Sequence, residues 1–405
     1  MARVLLVLPS ATYRAADFIA AAQALDAELV IGSDKEQTLL DPAGPRSLVL
    51  NLRRPDMAAA AIVQHAERFG LDAVVAVDDQ GLLAATLAAE RLGLPHNPYR
   101  AAAATRDKAA MREAFARAGL PQPVYRPMLS DEDAGAVARE VGFPAVLKPT
   151  CLSGSRGVIR VDDAPQAVAA ATRIRRILGD AGEDPRAPLL VERFVPGHEI
   201  AVEGLLRDGV FETLAVFDKP DPLDGPYFEE TLYVTPSRLP AAVLDNVGRL
   251  TAKAAAALGL TEGPVHAEFR VEAGMLTILE LAARSIGGLC ARSLRFGMGV
   301  SLEELILRHA LGMPIEDLGR EHAASGVMMI PIPKRGTLEE VHGVELARGV
   351  SGVTGIEITA VIGRQVVPLP DSDRYLGFIF ARGMAPEEVE DALRRAHRCL
   401  EIAIR

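Results

Sequence analysis

The chain is 405 residues long, enough for about two to four domains with cores of their own. Its 44 Lys and Arg against 54 Asp and Glu leave a formal net charge of −10, without the basic footprint that general nucleic-acid binding requires. Hydrophobic residues make up 49% and charged residues 24%, a globular balance, and no uncharged run reaches the ~20 apolar residues of a membrane span.

Residues 4–9 form an apolar run too short for a signal peptide and predict a first buried strand. Helical periodicity follows to Ala24. Strands are expected at 29–31 and 48–52, a helix at 57–69, a strand at 73–77 ending in Asp78-Asp79, and a helix at 81–92. This alternation predicts a small parallel α/β domain ending near residue 100. No Gly-x-Gly-x-x-Gly follows its first strand, so a dinucleotide site is not expected there. Ligand contacts in such a sheet fall at the C-terminal ends of strands. Pro9-Ser10, Tyr13-Arg14 and Asp78-Asp79 are therefore candidates, with caps and turns the alternative.

A helical stretch at 101–118 carries Arg106-Asp107-Lys108. Then come a helix at 131–141, a strand at 144–148, a Gly/Ser loop, a strand at 157–161 and a helix at 165–178. A strand at 189–195 leads into long strands up to Val216, and a Pro/Asp-rich loop runs from Lys219 to Tyr227. A helix at 240–258, a hairpin at 265–282 and a helix at 301–312 complete this region. Short strands at 326–332, 355–362 and 377–381, with a helix from Pro386, read as a separate α+β piece. Cys151, Cys290 and Cys399 are far apart and form no Cys-x-x-Cys, which argues against disulfides or structural zinc and suits a reducing cytoplasm.

Three stretches bear on chemistry. The strand ending at Lys148 is followed by Leu152-Ser-Gly-Ser-Arg-Gly-Val158. Glycines there let backbone N–H groups approach phosphates, with Lys148 adding a charge; a ligand-free hairpin is the bland alternative. Glu192-Arg-Phe-Val195 and Gly197-His-Glu199 offer backbone groups and carboxylates to an adenine edge and a ribose, or form a charged edge turn. In the hairpin, a three-residue turn Glu272-Ala-Gly274 pairs Val271 with Met275 and sets Glu268 opposite Ile278 and Glu280 opposite His266. Both carboxylates then share one face, where a hard cation relieves their repulsion. Arg284 follows, placed to clamp a phosphoryl group. The His266-Ala-Glu268 pair lacks the Pro-Cys-x-x-Cys partner of zinc deaminases.

Lys108, Lys148, this loop, Glu192-Arg-Phe-Val195, Glu199, Glu268 and Glu280 with eleven residues between them, and Arg284 occur in the order of the ATP-grasp superfamily. The chain resembles its carboxylate–amine ligases. The loop at 152–159 and Glu280-Leu-Ala-Ala-Arg-Ser-Ile-Gly-Gly288 look most like the L-amino-acid ligases (dipeptide synthetases). The resemblance implies an α/β and α+β architecture: an N-terminal parallel α/β (pre-ATP-grasp) domain at 1–105, a two-lobed ATP-grasp core at 106–315 and a C-terminal α+β domain at 316–405. The small lobe would span about 106–188 and the large lobe about 189–315.

It also implies roles. Lys108 and Lys148 would contact the phosphates and adenine, and Ser153, Gly154, Ser155, Arg156 and Gly157 would cover the β- and γ-phosphates. Glu192, Phe194 and Val195 would hold adenine, Glu199 the ribose, and Lys219 would reach a phosphate. Glu268 and Glu280 would bind one or two Mg²⁺, with Mn²⁺ as a substitute. Arg284 would stabilise the acyl phosphate and the tetrahedral intermediate. Glu230, with Tyr233 beside it, would hold the first substrate's amino group; Gly287, Gly288 and Arg292 would complete the substrate side. Ala282 departs from the family, which often has Asn there as a further metal ligand. The implied partners are small carboxylates and amines, amino acids foremost, and a second copy of the chain, with neither nucleic acid nor membrane. Another ATP-grasp ligase or carboxylase, and a non-catalytic nucleotide-binding protein, remain the alternatives.

Overall fold

The computed structural model describes residues 1–35, 46–315 and 317–405; the expected boundary at 316 lies outside them. Val4–Leu8 are shielded from water on both faces, which commits the first apolar run to the middle of a sheet. Strand β1 (Arg3–Val7) pairs in parallel with β2 (Glu28–Ser33) on one side and β4 (Ala73–Ala76) on the other; β3 (Ser47–Val49) extends the β2 edge. Helices α1 (Ala15–Ala24), α2 (Pro55–Phe69) and α3 (Asp79–Leu92) alternate with them. This is the parallel α/β unit expected.

The helical stretch at 101–118 divides into α4 (Tyr99–Thr105) and α5 (Lys108–Arg117). The Asp107 carboxylate accepts from the Ala109 and Ala110 amides at 2.9 and 3.3 Å, an N-cap that starts a new helix. Lys108 and Arg112 then lie one turn apart, and both are buried. Next come β5 (Tyr125–Met128), α6 (Ala134–Val141), β6 (Ala145–Pro149), β7 (Ile159–Val161), α7 (Ala164–Asp180) and β8 (Leu189–Arg193). They form an antiparallel sheet in the order β5-β8-β6-β7, whose apolar face packs on α6 and α7.

The rest is organised by one eight-stranded sheet. It uses β9 (His198–Arg207), β10 (Val210–Lys219), β11 (Leu232–Thr235), β12 (Gly263–Glu272) and β13 (Met275–Ala282), with α8 (Ala241–Leu258) and α9 (Leu302–Ala310) as helices. After α9 come β14 (Ala324–Ile330), β15 (Gly336–His342), α10 (Val344–Arg348), β16 (Val353–Ile358), β17 (Gln365–Val366), β18 (Gly377–Gly383), α11 (Pro386–Arg398) and β19 (Glu401–Ile404). The strand order is β13-β12-β9-β10-β11-β14-β18-β16, so the C-terminal segment is not a separate piece. It joins the central sheet through β11, a four-residue strand absent from the sequence reading, which pairs with β14 from Leu232↔Met328 to Thr235↔Ser325. Only the β17-β15-β19 sheet stands apart. A single apolar cluster runs from Val4 and Phe18 through Phe217 and Tyr233 to Met329 and Phe378.

The hairpin register differs from the expected one. The turn has two residues, Ala273 and Gly274, both at positive φ (50° and 79°), and Glu272 pairs with Met275. That arrangement is a type I′ turn, which matches strand twist. A bulge then inserts Leu279 between the pairs Phe269↔Ile278 and Glu268↔Glu280. The two carboxylates therefore lie directly opposite each other. The shared face survives, but the bulge creates it, not a longer turn.

Ala273 holds a left-handed conformation that costs an L-residue about 1 kcal/mol and that Asn tolerates better. Ala273→Asn is expected to stabilise the hairpin by about 1 kcal/mol, read as a higher denaturant midpoint. A lower midpoint would contradict the turn assignment.

Candidate active site

The small-lobe loop after β6, strands β8 and β9, the β12–β13 hairpin and the stretch before β18 line one cleft with a cavity of about 230 Å³. A single water requires about 10–15 Å³ on this measure, so the cleft takes a far larger ligand. Val146, Val158, Phe194, Phe228 and Leu279 form an apolar slot at one end. The Phe194 and Phe228 rings lie 6.4 Å apart at 26°, and the Arg160 guanidinium sits 4.5 Å over Phe194. Such walls suit a flat heteroaromatic ring.

Glu192 lines this slot. It accepts from Lys148 Nζ at 2.7 Å and from Arg112 Nε at 2.5 Å. Burial alone would raise its pKa, but the two cations prevail and hold it at about 2. Arg112 also donates to the carbonyl of the bulged Leu279 at 2.6 Å. The sequence reading missed Arg112; its signal was its place one turn after Lys108 in an Ala-rich helix.

The Gly/Ser loop connects antiparallel β6 and β7. Gly154, Ser155 and Gly157 have φ of 62°, 55° and 75°. Among the described residues the amides of Ser153, Gly154 and Ser155 find no protein acceptor. Successive free N–H groups in a left-handed turn make an anion-binding concavity. Arg156 and Gly157 do not join it: Gly157 N–H donates to Pro370 O at 2.9 Å, and Arg156 Nε donates to Asp371 O at 3.2 Å.

On the hairpin face, Lys108 Nζ reaches Glu280 at 3.1 Å and Leu152 O at 2.8 Å, tying the carboxylate to the loop. Lys219 lies beneath the cleft rather than in its wall. Its Nζ donates to Glu199 at 2.7 Å, Glu230 at 2.6 Å and Glu268 at 2.9 Å. Oxygens of these three carboxylates lie within 4.8 Å of one another. Burial disfavours the Lys219 ammonium, yet three carboxylates raise its pKa well above the usual value. One ammonium does not neutralise three carboxylates. Burial therefore pushes Glu230 up to about 7 against the pull of Lys219, whereas Lys219 and His266 overcome burial and hold Glu268 well below its usual range. Facing carboxylates on Glu268 and Glu280 fit Mg²⁺, which takes one or two of them and completes its shell with phosphate and water oxygens. Ala282, opposite His266, offers no donor.

His266 is held by Glu203 through Nδ1 and lies 3.4 Å from Glu268 through Nε2. Burial opposes its charge, but Glu203 and Glu268 push its pKa up to about 9. Glu203 also accepts from the Ile286 amide at 3.0 Å. It too was missed, a lone acid within an apolar strand. Arg284 donates to Asp79 at 3.0 Å, and Arg14 reaches Ser285 at 2.8 Å and Glu303 at 3.1 Å. Of the N-terminal candidates, Tyr13 lines the cavity, and Arg14 and Asp79 hold the segment after β13. Asp78 caps α3 through the Gln80 amide, and burial with the Asp79 charge raises its pKa to about 6. Ser10 is turned to Asp34.

Glu230, Tyr233, Gly287 and Gly288 line the opposite end of the cavity with Tyr13, Cys290 and Tyr375. The Tyr233 hydroxyl donates to Glu230 at 2.8 Å. Burial pushes the Cys290 thiol up, which leaves it protonated and unreactive. Arg292 is a correction: it pairs with Asp17 at 2.9 Å and with Glu357, and lines a different pocket with Arg295 and Arg382.

Residues 141–293 match the ATP-grasp domain model, 19–96 the ATP-grasp N-terminal domain, and 328–405 the L-amino acid ligase C-terminal domain 2. This chain carries an ATP-grasp domain behind an ATP-grasp N-terminal domain. The alanine–anticapsin ligase of Bacillus subtilis (strain 168) is 31% identical over 266 residues, 61% of this chain and 55% of the relative. The chain thus matches about half the length of such curated relatives. An L-amino acid ligase structure from Bacillus licheniformis superposes with a TM-score of 0.82 at 24% identity, covering 100% of this chain and 99% of that one. The biotin carboxylase domain of a 2-oxoglutarate carboxylase from Hydrogenobacter thermophilus, in complex with MgADP, ADP and bicarbonate, gives a TM-score of 0.69 at 20% identity, covering 99% and 90%. Among the described residues no helix is long and apolar enough to cross a membrane.

Glu192→Gln would leave Arg112 and Lys148 buried without their anion, at a cost of about 3–5 kcal/mol at neutral pH. The native carboxylate has a depressed pKa, so its contribution is complete above about pH 4.5 and is lost as pH falls toward about 2. The stability gap between wild type and variant, measured by denaturant unfolding, should narrow through that window. A gap that stays constant would refute the pairing.

Proposed function

We propose that the protein is an ATP-dependent carboxylate–amine ligase, forming a dipeptide-type amide and releasing ADP and phosphate in a reducing cytoplasm. The observation that carries this reading is the convergence on one cleft of the free 153–155 amides, the opposed Glu268 and Glu280, Arg284, and a far end bearing Glu230 and Tyr233. The matched ATP-grasp regions and the ligase named among the relatives support it. We read 1–105, 106–315 and 316–405 as its three functional units.

The apolar slot takes adenine, with Lys148 and Glu192 at its edge and Glu199 toward the ribose. The loop amides cradle the β- and γ-phosphates. A substrate carboxylate oxygen bonds to the γ-phosphorus as the bond to ADP breaks, giving an acyl phosphate. An amine nitrogen then bonds to the acyl carbon, phosphate departs, and the nitrogen loses its proton. No protein nucleophile is required; positioning and charge stabilisation supply the catalysis. Mg²⁺ held by Glu268 and Glu280 would neutralise phosphoryl charge. Arg284, pre-aimed by Asp79, meets the charge that develops on the acyl phosphate and the tetrahedral oxygen. Glu230, with Tyr233 fixing its second oxygen, receives the ammonium of the first amino acid.

A phosphate-release screen over pairs of amino acids and amines, with mass spectrometry of products, tests this reading. ADP formation that depends on bicarbonate instead of paired substrates would favour a carboxylase. Glu280→Ala should abolish Mg²⁺-dependent phosphate release with the fold intact by circular dichroism; retained turnover would sink the metal assignment. Arg284→Met should lower kcat about 10²–10³-fold with a small change in KM for ATP. An unchanged kcat would remove Arg284 from the mechanism.

A further inference from the structure

Asp371, in the stretch between β17 and β18, is the meeting point of arginines from separate parts of the chain. Arg173 of α7 grips it as a fork, Nε to Oδ1 at 3.0 Å and Nη2 to Oδ2 at 3.1 Å. Arg176 of the same helix adds Nη2 to Oδ1 at 3.2 Å, and Arg335, before β15, adds Nη2 to Oδ2 at 3.1 Å. Arg156 of the Gly/Ser loop donates to the Asp371 carbonyl, and Gly157 N–H donates to the neighbouring Pro370 carbonyl. Asp373 closes against the other side of the loop: a Cβ built on Gly154 would lie 3.0 Å from the Asp373 Cβ.

We propose that Asp371 is a positioning residue, a latch that holds the phosphate loop at 153–157 shut against the C-terminal segment. Single exposed ion pairs contribute little, but one carboxylate here takes a bidentate fork and two further guanidinium groups. The Asp371 side chain is 15% exposed, less than any of its arginine partners. Three guanidinium groups brought together repel one another. Asp371 converts that repulsion into attraction, so losing its charge drives α7 and the loop away from the C-terminal segment. Burial of Asp371 is outweighed by Arg173, Arg176 and Arg335, which keep it ionised. With Gly157 and Arg156 committed to residues 370 and 371, the amides of 153–155 stay turned to the cleft. A closed loop also shields an acyl phosphate from water.

The proposal rests on reading residues 152–158 as the phosphate loop, and its first test needs no substrate. Hydrogen exchange of the full chain without nucleotide should be about tenfold faster at the hydrogen-bonded amides of 156–158 in Asp371→Asn than in wild type. Arg335→Gln, at an exposed arginine, should give a smaller rise of about two- to threefold, and Asp371→Glu should approach wild type. Exchange in α8 should not change. In turnover, Asp371→Asn should raise KM for ATP about tenfold with kcat within about twofold, and should consume more ATP per amide formed. Loop exchange in Asp371→Asn equal to wild type would overturn the latch. So would a uniform rise that includes α8 and appears equally in Asp371→Glu. A wild-type chain that forms no ADP with any substrate pair would instead overturn the ligase reading, and loop exchange would still decide the latch.

Discussion

Burying ionised carboxylates in a cleft demands cations beside them, and Arg112 is where that demand ties the site together. Its guanidinium neutralises Glu192 in the apolar slot and donates to the carbonyl of Leu279 in the hairpin bulge. One turn earlier on the same helix, Lys108 meets Glu280 and the loop carbonyl of Leu152. Helix α5 thus contacts the edge of the slot, the bulge of the acidic hairpin and one end of the Gly/Ser loop. The N-cap at Asp107 sets the phase of that helix and so aims both cations. A continuous helix through 101–118 would run in a different phase, with no guarantee that either cation faced the cleft.

The carboxylates follow a second rule. Glu199, Glu203 and Glu268 occupy adjacent central strands of the large sheet, β9 and β12. Each is answered from a neighbouring position: Lys219 and Arg270 serve Glu199, His266 serves Glu203, and Lys219 with His266 serves Glu268. A sheet spaces such residues rigidly, which suits charged groups that must keep fixed distances within one site. Sheet continuity through β11 and β14 brings the C-terminal segment close enough to contribute Asp373 and Tyr375 to the cavity wall.

Much of this was legible in the sequence because strand and helix periods are local. The parallel N-terminal unit, the Gly/Ser loop and the hairpin follow from residue type and order. Three features were not legible, each for a non-local reason. The carbonyl of the bulged Leu279 is bonded by Arg112, 167 residues away, and the Ala273-Gly274 turn extended without that bulge misplaces the register by one residue. Strand β11 is four residues long and becomes a strand through its neighbours β10 and β14. Arg292 sits two residues past Cys290, a cavity-lining residue, in the short helical turn Cys290–Ser293, yet it pairs with Asp17 and Glu357, which lie far away in the sequence.

The N-terminal unit is more than a cover. Parallel sheets present functional residues at the C-terminal ends of their strands. Here those ends deliver Arg14 and Asp79, and neither lines the cavity. Asp79 sits in the first turn of α3, where burial would raise its pKa but the charges of Arg284 and Arg106 hold it low. Arg14 spans from Val77 O to Ser285 and Glu303, bracketing the residue after Arg284. Arg284 is thereby oriented by groups outside the lobes that hold the loop and the acidic pair. In the catalytic role proposed for Arg284, a long, flexible cation is useful only if its rotamer is settled beforehand, because reorganisation during the reaction would forfeit the stabilisation. The parallel unit settles it, and this accounts physically for its packing against the segment after β13.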